Sequence, residues 1–138
     1  MPEFIPQCNP AALVAELRPQ IDGAIARVLE SGPYILGPEV EAFEAEWASW
    51  CGVEHAVGCA NGTDALELIL RSLDLPAGSR VLAPSHTAVA TIAAIVRSGH
   101  RPMLADVDPL SYGLDPVSAA RCLEAAKAEG DPVRALIA

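Results

Sequence analysis

His55-Ala56-Val57-Gly58-Cys59-Ala60-Asn61-Gly62-Thr63-Asp64-Ala65-Leu66-Glu67-Leu68-Ile69-Leu70 is the stretch on which the reading of the fold turns. Its first six residues are small or apolar and predict a short buried strand. Asn61-Gly62-Thr63 breaks that pattern with turn-forming and hydroxyl residues. From Asp64 the spacing is helical, with Ala65, Leu66, Leu68, Ile69, Leu70 and Leu73 on a broad apolar face. A chain that turns through Asn-Gly-Thr straight into a helix points unpaired backbone N–H groups, at the positive end of the helix dipole, toward one spot. Such a spot suits an anion, and phosphate is its usual occupant. Gly62 lets the backbone approach a ligand closely, and Thr63 adds a hydroxyl donor. The plainer alternative is that Thr63 or Asp64 only caps a helix in an ordinary βα turn.

The rest of the composition sets bounds. At 138 residues, 51% of them hydrophobic, the chain has the length of about one domain and enough apolar surface for a core. Its formal net charge of −9 argues against nucleic acid and anionic membrane as partners, because both need basic patches. Cys8, Cys51, Cys59 and Cys122 have no Cys-x-x-Cys spacing, and the three histidines do not cluster with them. Neither a disulfide framework nor a zinc site is expected, and a reduced, cytoplasmic setting is the default. Residues 1–10 lack the basic and apolar regions of a signal peptide, and the apolar run Ala88–Val96 is too short to span a bilayer.

In chain order, residues 1–10 carry three prolines and read as an extended arm. Helical spacing begins near Ala11, and Pro19 is expected to break the helix and start a new turn. Ile21, Ile25, Val28 and Leu29 form a stripe closed by Ser31-Gly32. The apolar loop 32–37 is expected to pack on something. Pro38 then opens a helix with Glu39, Glu41 and Glu44 near its positive end, and Gly52 ends it. Within it Val40, Phe43, Trp47 and Trp50 recur at helical spacing, and both tryptophans are read as core. From residue 53 strands and helices alternate: a strand at 80–83, a small-residue helix at 88–96, a strand at 102–107, a helix capped by Asp115-Pro116 and running to about Ala128, and a strand at 133–138. This rhythm predicts an α/β fold with a mostly parallel sheet covered by helices on both faces.

Pro84-Ser85-His86-Thr87 falls at the C-terminal end of its strand, as does Asn61-Gly62-Thr63. Open α/β sheets bind ligands at that end, so the two turns can line one crevice. There His86 either stacks on a flat ring or is a half-buried turn histidine. Asp106 and Asp108 have two readings, acid/base carboxylates or an Asx-type turn before Pro109, and the turn is favoured.

Four motifs together resemble the DegT/DnrJ/EryC1/StrS family. They are Gly37-Pro38-Glu39-Val40-Glu41-Ala42-Phe43-Glu44, Asn61-Gly62-Thr63-Asp64-Ala65-Leu66, Pro84-Ser85-His86-Thr87-Ala88-Val89-Ala90-Thr91 and Asp106-Val107-Asp108-Pro109. The likeness runs from about residue 17 onward, with the motifs in the family's order and spacing. It implies the N-terminal half of the large domain of an aspartate-aminotransferase-like (fold type I) enzyme. Residues 1–52 would form an arm with its leading helices, and residues 53–138 the first half of the cofactor-binding α/β domain. The implied cofactor is pyridoxal phosphate, its phosphate held by Gly62 and Thr63 and its pyridine ring stacked on His86. The loop around Tyr34 would lie near the mouth of an active site shared by two subunits of a homodimer.

The resemblance further implies a sugar transaminase that moves an amino group from an amino acid, usually glutamate, to a nucleotide-linked keto sugar by a ping-pong route. The family's Schiff-base lysine and its aspartate for the pyridine nitrogen have no counterpart among these residues. The single lysine, Lys127, lies in the polar stretch 124–129. The catalytic lysine is therefore expected beyond Ala138, and the 138 residues alone are expected to be inactive. A same-family sugar dehydratase and a non-catalytic remnant or dimerising module of the fold are the alternatives. An unrelated nucleotide-binding domain would need a Gly-x-Gly-x-x-Gly turn, which is missing.

Overall fold

The structure is a computed structural model that describes residues 6–138, so the first half of the expected arm lies outside the described residues. The chain divides into two compact units, one up to Gly58 and one over Cys59–Ala138.

The first unit is helical. Helix α1 (Pro10–Ser31) has Asn9 as its cap, the amide oxygen accepting from the Ala12 N–H at 3.3 Å, and Pro10 in its first turn, where a missing N–H costs nothing. Pro19 does not break this helix, contrary to expectation; it sits inside it. Proline there forfeits one backbone bond and crowds the preceding turn. The good helix formers around it and the Arg18–Asp22 pair at 2.8 Å, one turn apart across the proline, carry the helix through.

Helix α2 (Pro38–Cys51) starts on proline with Glu39 and Glu41 in its first turn. It stops at Gly52, whose left-handed φ of 68° lets its N–H meet the Ala48 and Ser49 carbonyls. Arg27 of α1 pairs with Glu39 of α2 at 2.8 Å. The expected tryptophan core is not found. Trp47 and Trp50 are 52% and 84% exposed, and Ala48 is the buried residue of the helix. Phe43 and Trp47, one turn apart, instead stack on each other with centroids 6.0 Å apart. The loop side chains Tyr34, Ile35 and Leu36 are exposed as well, so that loop does not pack as expected.

The second unit is α/β, as the alternating pattern requires. Helix α3 (Gly62–Ser72) is followed by β1 (Arg80–Pro84), α4 (Val89–Arg97), β2 (Arg101–Ala105), α5 (Pro116–Ala128) and β3 (Val133–Leu136). The three strands are parallel in the order β2-β1-β3, with Arg80 opposite Arg101 and Leu82 opposite both Met103 and Leu136. Moving from β1 to β2 and then back past β1 to β3 puts right-handed crossovers on opposite faces. The packing follows. Val81 and Ala83 point to one face with Leu70 of α3 and Ile95 of α4, while Leu82 points to the other with Ala105 and Ala119. β1 is thus the doubly covered strand, and its Leu82 and Val81, with Ile95 of α4, are the largest fully buried side chains among the described residues. Burying each contributes about 1.5–3 kcal/mol.

The strand expected at His55–Ala60 does not form, and Val57 is 81% exposed. A strand exists only through its ladder, and among the described residues these pair with neither β2 nor β3. Within the first unit, the Gly58 N–H donates to the Glu44 carboxylate at 2.6 Å.

Candidate functional site

Parallel strands share a polarity, so the loops leaving β1 and β2 open at one edge of the sheet. β1 ends on Pro84, and the next N–H, from Ser85, donates to the Ala105 carbonyl at 2.8 Å, extending the ladder to its end. His86 follows, exposed, and then Thr87, whose hydroxyl hydrogen-bonds that of Thr91 at 2.9 Å. That bond fixes the loop onto the first turn of α4.

Helix α3 points toward the same edge. Arg71 in its last turn donates to the Arg97 carbonyl in the last turn of α4 at 2.7 Å. The two helices pack side by side with their C-termini together, so their N-termini lead the same way. Arg97 reaches back along α3 to Glu67 at 2.8 Å.

At the head of α3 the cap is Asn61. Its amide oxygen accepts from the Asp64 N–H at 3.0 Å, and its amide nitrogen donates to the Asp64 carboxylate at 2.9 Å. Neither Thr63 nor Asp64 is the cap. The Ala65 N–H bonds the Asn61 carbonyl, which leaves the N–H groups of Gly62 and Thr63 without partners among the described residues. Apart from its chain neighbours and its own helix backbone, nothing lies within 4 Å of where a Gly62 side chain would begin. The helix head therefore offers two N–H donors without partners among the described residues, one of them from Thr63, whose side chain carries a hydroxyl.

His86 and the Gly62–Thr63 pair thus belong to the same edge of one unit, though among the described residues no hydrogen bond joins them. The aromatic neighbour of His86 is Tyr112, with ring centroids 6.4 Å apart and planes tilted by 49°. Sequence reasoning passed over Tyr112. The signal was present in a bulky residue set between Ser111 and Gly113, inside a turn bounded by Asp108 and Asp115.

The favoured turn reading holds at Asp108. Its carboxylate accepts from the Leu110 and Ser111 N–H groups at 3.0 and 2.7 Å. These bonds, led by that from Ser111, hold its pKa below the ordinary carboxylate value. Asp106 takes part through its backbone, its N–H bonded to the Ser118 hydroxyl and its carbonyl to the Asp115 N–H, both at 2.9 Å. Lys127 lies exposed in the last turn of α5. Among the described residues no helix is long and apolar enough to cross a membrane, and no cluster of histidine, cysteine or carboxylate side chains is arranged for a metal.

Comparison with known proteins agrees with this architecture. The model of the DegT/DnrJ/EryC1/StrS aminotransferase family matches residues 15–129. A dTDP-3-amino-3,4,6-trideoxy-alpha-D-glucose transaminase of Streptomyces venezuelae is 45% identical over 113 residues, which cover 82% of this chain and 30% of that protein. The crystal structure of a DegT DnrJ EryC1 StrS aminotransferase from Brucella abortus superposes with a TM-score of 0.90 at 35% identity, covering 96% of this chain and 36% of that one. The structure of NtdA from Bacillus subtilis with bound cofactor PMP superposes with a TM-score of 0.73 at 27% identity, covering 78% of this chain and 25% of that one. The chain spans between a quarter and about a third of the length of these proteins, and over that span it belongs to the DegT/DnrJ/EryC1/StrS aminotransferase family.

Proposed function

We propose that this chain is the N-terminal segment of a pyridoxal-phosphate-dependent aminotransferase acting on a nucleotide-linked keto sugar, with glutamate as amino donor and a homodimer as the working form. Residues 1–52 are the arm and leading helices, and 53–138 the first half of the cofactor-binding domain. Family membership and the nucleotide-sugar transaminase among its relatives support the reaction class. The observation that carries the cofactor assignment is the open head of α3. The Gly62 and Thr63 N–H groups have no partner among the described residues, they stand at the positive end of the helix, and no side chain from elsewhere lies within 4 Å of the Gly62 Cβ position.

That donor set fits a phosphate, and the exposed His86 imidazole on the neighbouring loop fits the face of a flat ring. Gly62 and Thr63 bind through backbone N–H and hydroxyl, and His86 sets the tilt of the ring. Bound pyridoxal phosphate supplies the electron sink that makes amino transfer possible. These residues place and orient it. The amine that bonds the cofactor has no candidate at this edge of the sheet and is assigned to the remainder of the full-length protein.

The test is a cofactor titration of the full-length protein, followed by its absorbance, together with an amino-transfer assay from glutamate to a nucleotide-linked keto sugar. Tight binding lost in the Gly62→Val variant, and amino transfer in the parent, are the expected results. A Val variant that folds and binds pyridoxal phosphate as tightly as the parent would show that the phosphate lies elsewhere.

A further inference from the structure

We propose that Tyr112 is a positioning residue, holding the His86 ring in the orientation that receives a flat ligand ring; this rests on the cofactor reading above.

Three observations converge on it. The Tyr112 ring lies 6.4 Å from that of His86 at a 49° tilt, within the range where aromatic rings attract each other through their edges and faces. Tyr112 has a φ of 58°, in the left-handed region that disfavours bulky side chains, while the flexible alternative, Gly113, stands next to it. Its side chain is not there to fill a core, since the residue is 68% exposed. A strained, exposed aromatic contributes little to folding, so its placement calls for another reason.

The turn that imposes this conformation is built in detail. The Asp108 N–H donates to the Gly113 carbonyl and the Tyr112 N–H to the Asp108 carbonyl, both at 2.9 Å. The Asp108 carboxylate takes the Leu110 and Ser111 N–H groups, and the Ser111 hydroxyl takes that of Gly113 at 3.3 Å. An antiparallel bridge between Val107 and Leu114 closes the stem. The turn grows from the end of β2, and the His86 loop from the end of its neighbour β1. The register of the two strands thus carries Tyr112 to His86. With the Tyr112 ring against it, His86 loses rotamer freedom before any ligand arrives, which lowers the ordering cost of binding.

The experiment uses the full-length protein with Tyr112→Ala, Tyr112→Phe, Tyr112→Gly, His86→Ala and the His86→Ala/Tyr112→Ala double variant. Its readouts are the pyridoxal phosphate dissociation constant, the absorption maximum of the bound cofactor and the thermal midpoint of the cofactor-free form. Tyr112→Ala is expected to weaken binding about twofold to tenfold, the range for one aromatic pair, and to shift the absorption maximum. Tyr112→Phe keeps the ring and restores both. Tyr112→Gly relieves the backbone strain yet binds as weakly as Tyr112→Ala, and it carries the comparison should the alanine variant fail to fold. In the His86→Ala background, Tyr112→Ala is expected to have no further effect. If His86→Ala weakens binding but Tyr112→Ala does not, or if the two losses simply add, Tyr112 has no role through His86 and only this inference fails. If His86→Ala binds as the parent does, the ring assignment to His86 falls, and this inference with it.

Discussion

Asn61 caps α3 and holds Asp64 by two hydrogen bonds. The Asn61 amide oxygen accepts from the Asp64 N–H at 3.0 Å, while its amide nitrogen donates to the Asp64 carboxylate at 2.9 Å. One side chain thus serves the third N–H of α3 and orients the carboxylate beside it. Asn61→Ala is expected to remove both bonds and lower stability by about 1 kcal/mol. Urea unfolding of parent and variant measures it. An unchanged midpoint would mean that α3 takes its start from packing and not from this cap.

Because Asn61 does the capping, Gly62 is free of that duty. Its φ lies outside the left-handed region, and a methyl group there meets nothing within 4 Å. Gly62→Ala should therefore leave the cofactor-free fold intact or stabilise it by about 0.5–1 kcal/mol, the usual gain over glycine in a helix. If the phosphate binds at α3 as proposed, the same methyl group would stand in its approach to the backbone, and pyridoxal phosphate binding is expected to weaken at least about tenfold, roughly 1.4 kcal/mol. Measuring thermal midpoint and cofactor affinity on one variant separates the two effects. Equal affinity in parent and variant would place the phosphate away from α3.

The contrast between legible and illegible features has a physical basis. Helix ends were readable because they depend on nearby residues: Pro38 and Gly52 bound α2, and Asp115-Pro116 opens α5, with the Asp115 carboxylate accepting from the Val117 and Ser118 N–H groups. The parallel sheet was readable from the alternation of apolar strands and helices. His55–Ala60 was misread because an apolar run shows that a strand is allowed, while its ladder partner lies elsewhere in the chain. Trp47 and Trp50 were misread for a related reason: helical spacing defines a face but not what covers it. Tyr112 escaped notice because its meaning depends on the β1–β2 register, which brings residues 86 and 112 together across two separate loops.

At the opposite edge of the sheet, Asp131 joins the two neighbouring strands. Its carboxylate pairs with Arg80 of β1 at 2.9 Å and with Arg101 of β2, and Arg80 also pairs with Glu129 at 2.6 Å. The hydrogen bond from Arg101, aided by the charges of both arginines, holds the Asp131 pKa below its ordinary 3.8. A carboxylate depressed on folding contributes stability that is present above the unfolded value and lost as pH falls through the folded one. Asp131→Asn is therefore expected to be less stable than the parent at neutral pH, with the difference shrinking as pH drops below about 3.8. Thermal midpoints of both proteins between neutral and acid pH test this. A difference that stays constant down to the acid end would mean that Asp131 acts through packing and not charge.

The 138-residue chain is expected to form no specific covalent bond with pyridoxal phosphate, because its one lysine stands at the wrong edge of the sheet. Helix α5 starts at Asp115, whose N–H bonds the Asp106 carbonyl just past the end of β2. Its thirteen residues carry the chain about 20 Å back along the sheet. They end beside Glu129, which is paired with Arg80, the first residue of β1. Lys127 is therefore close to the N-terminal edge, while His86 follows the C-terminal end of a five-residue strand spanning roughly 16 Å. A four-carbon stem is too short for that distance. Bond formation needs an amine held at the cofactor aldehyde, and no side chain here supplies one there. The exposed apolar residues, Trp50 and Val57 among them, make self-association a further expectation for the chain on its own. The purified chain would be incubated with pyridoxal phosphate, reduced with borohydride and mapped by mass spectrometry. Scattered labelling or none is the expected result. A stoichiometric adduct on Lys127, abolished by Lys127→Arg and accompanied by amino transfer from glutamate, would overturn both the placement of the lysine and the assignment of the catalytic amine to the remainder of the protein.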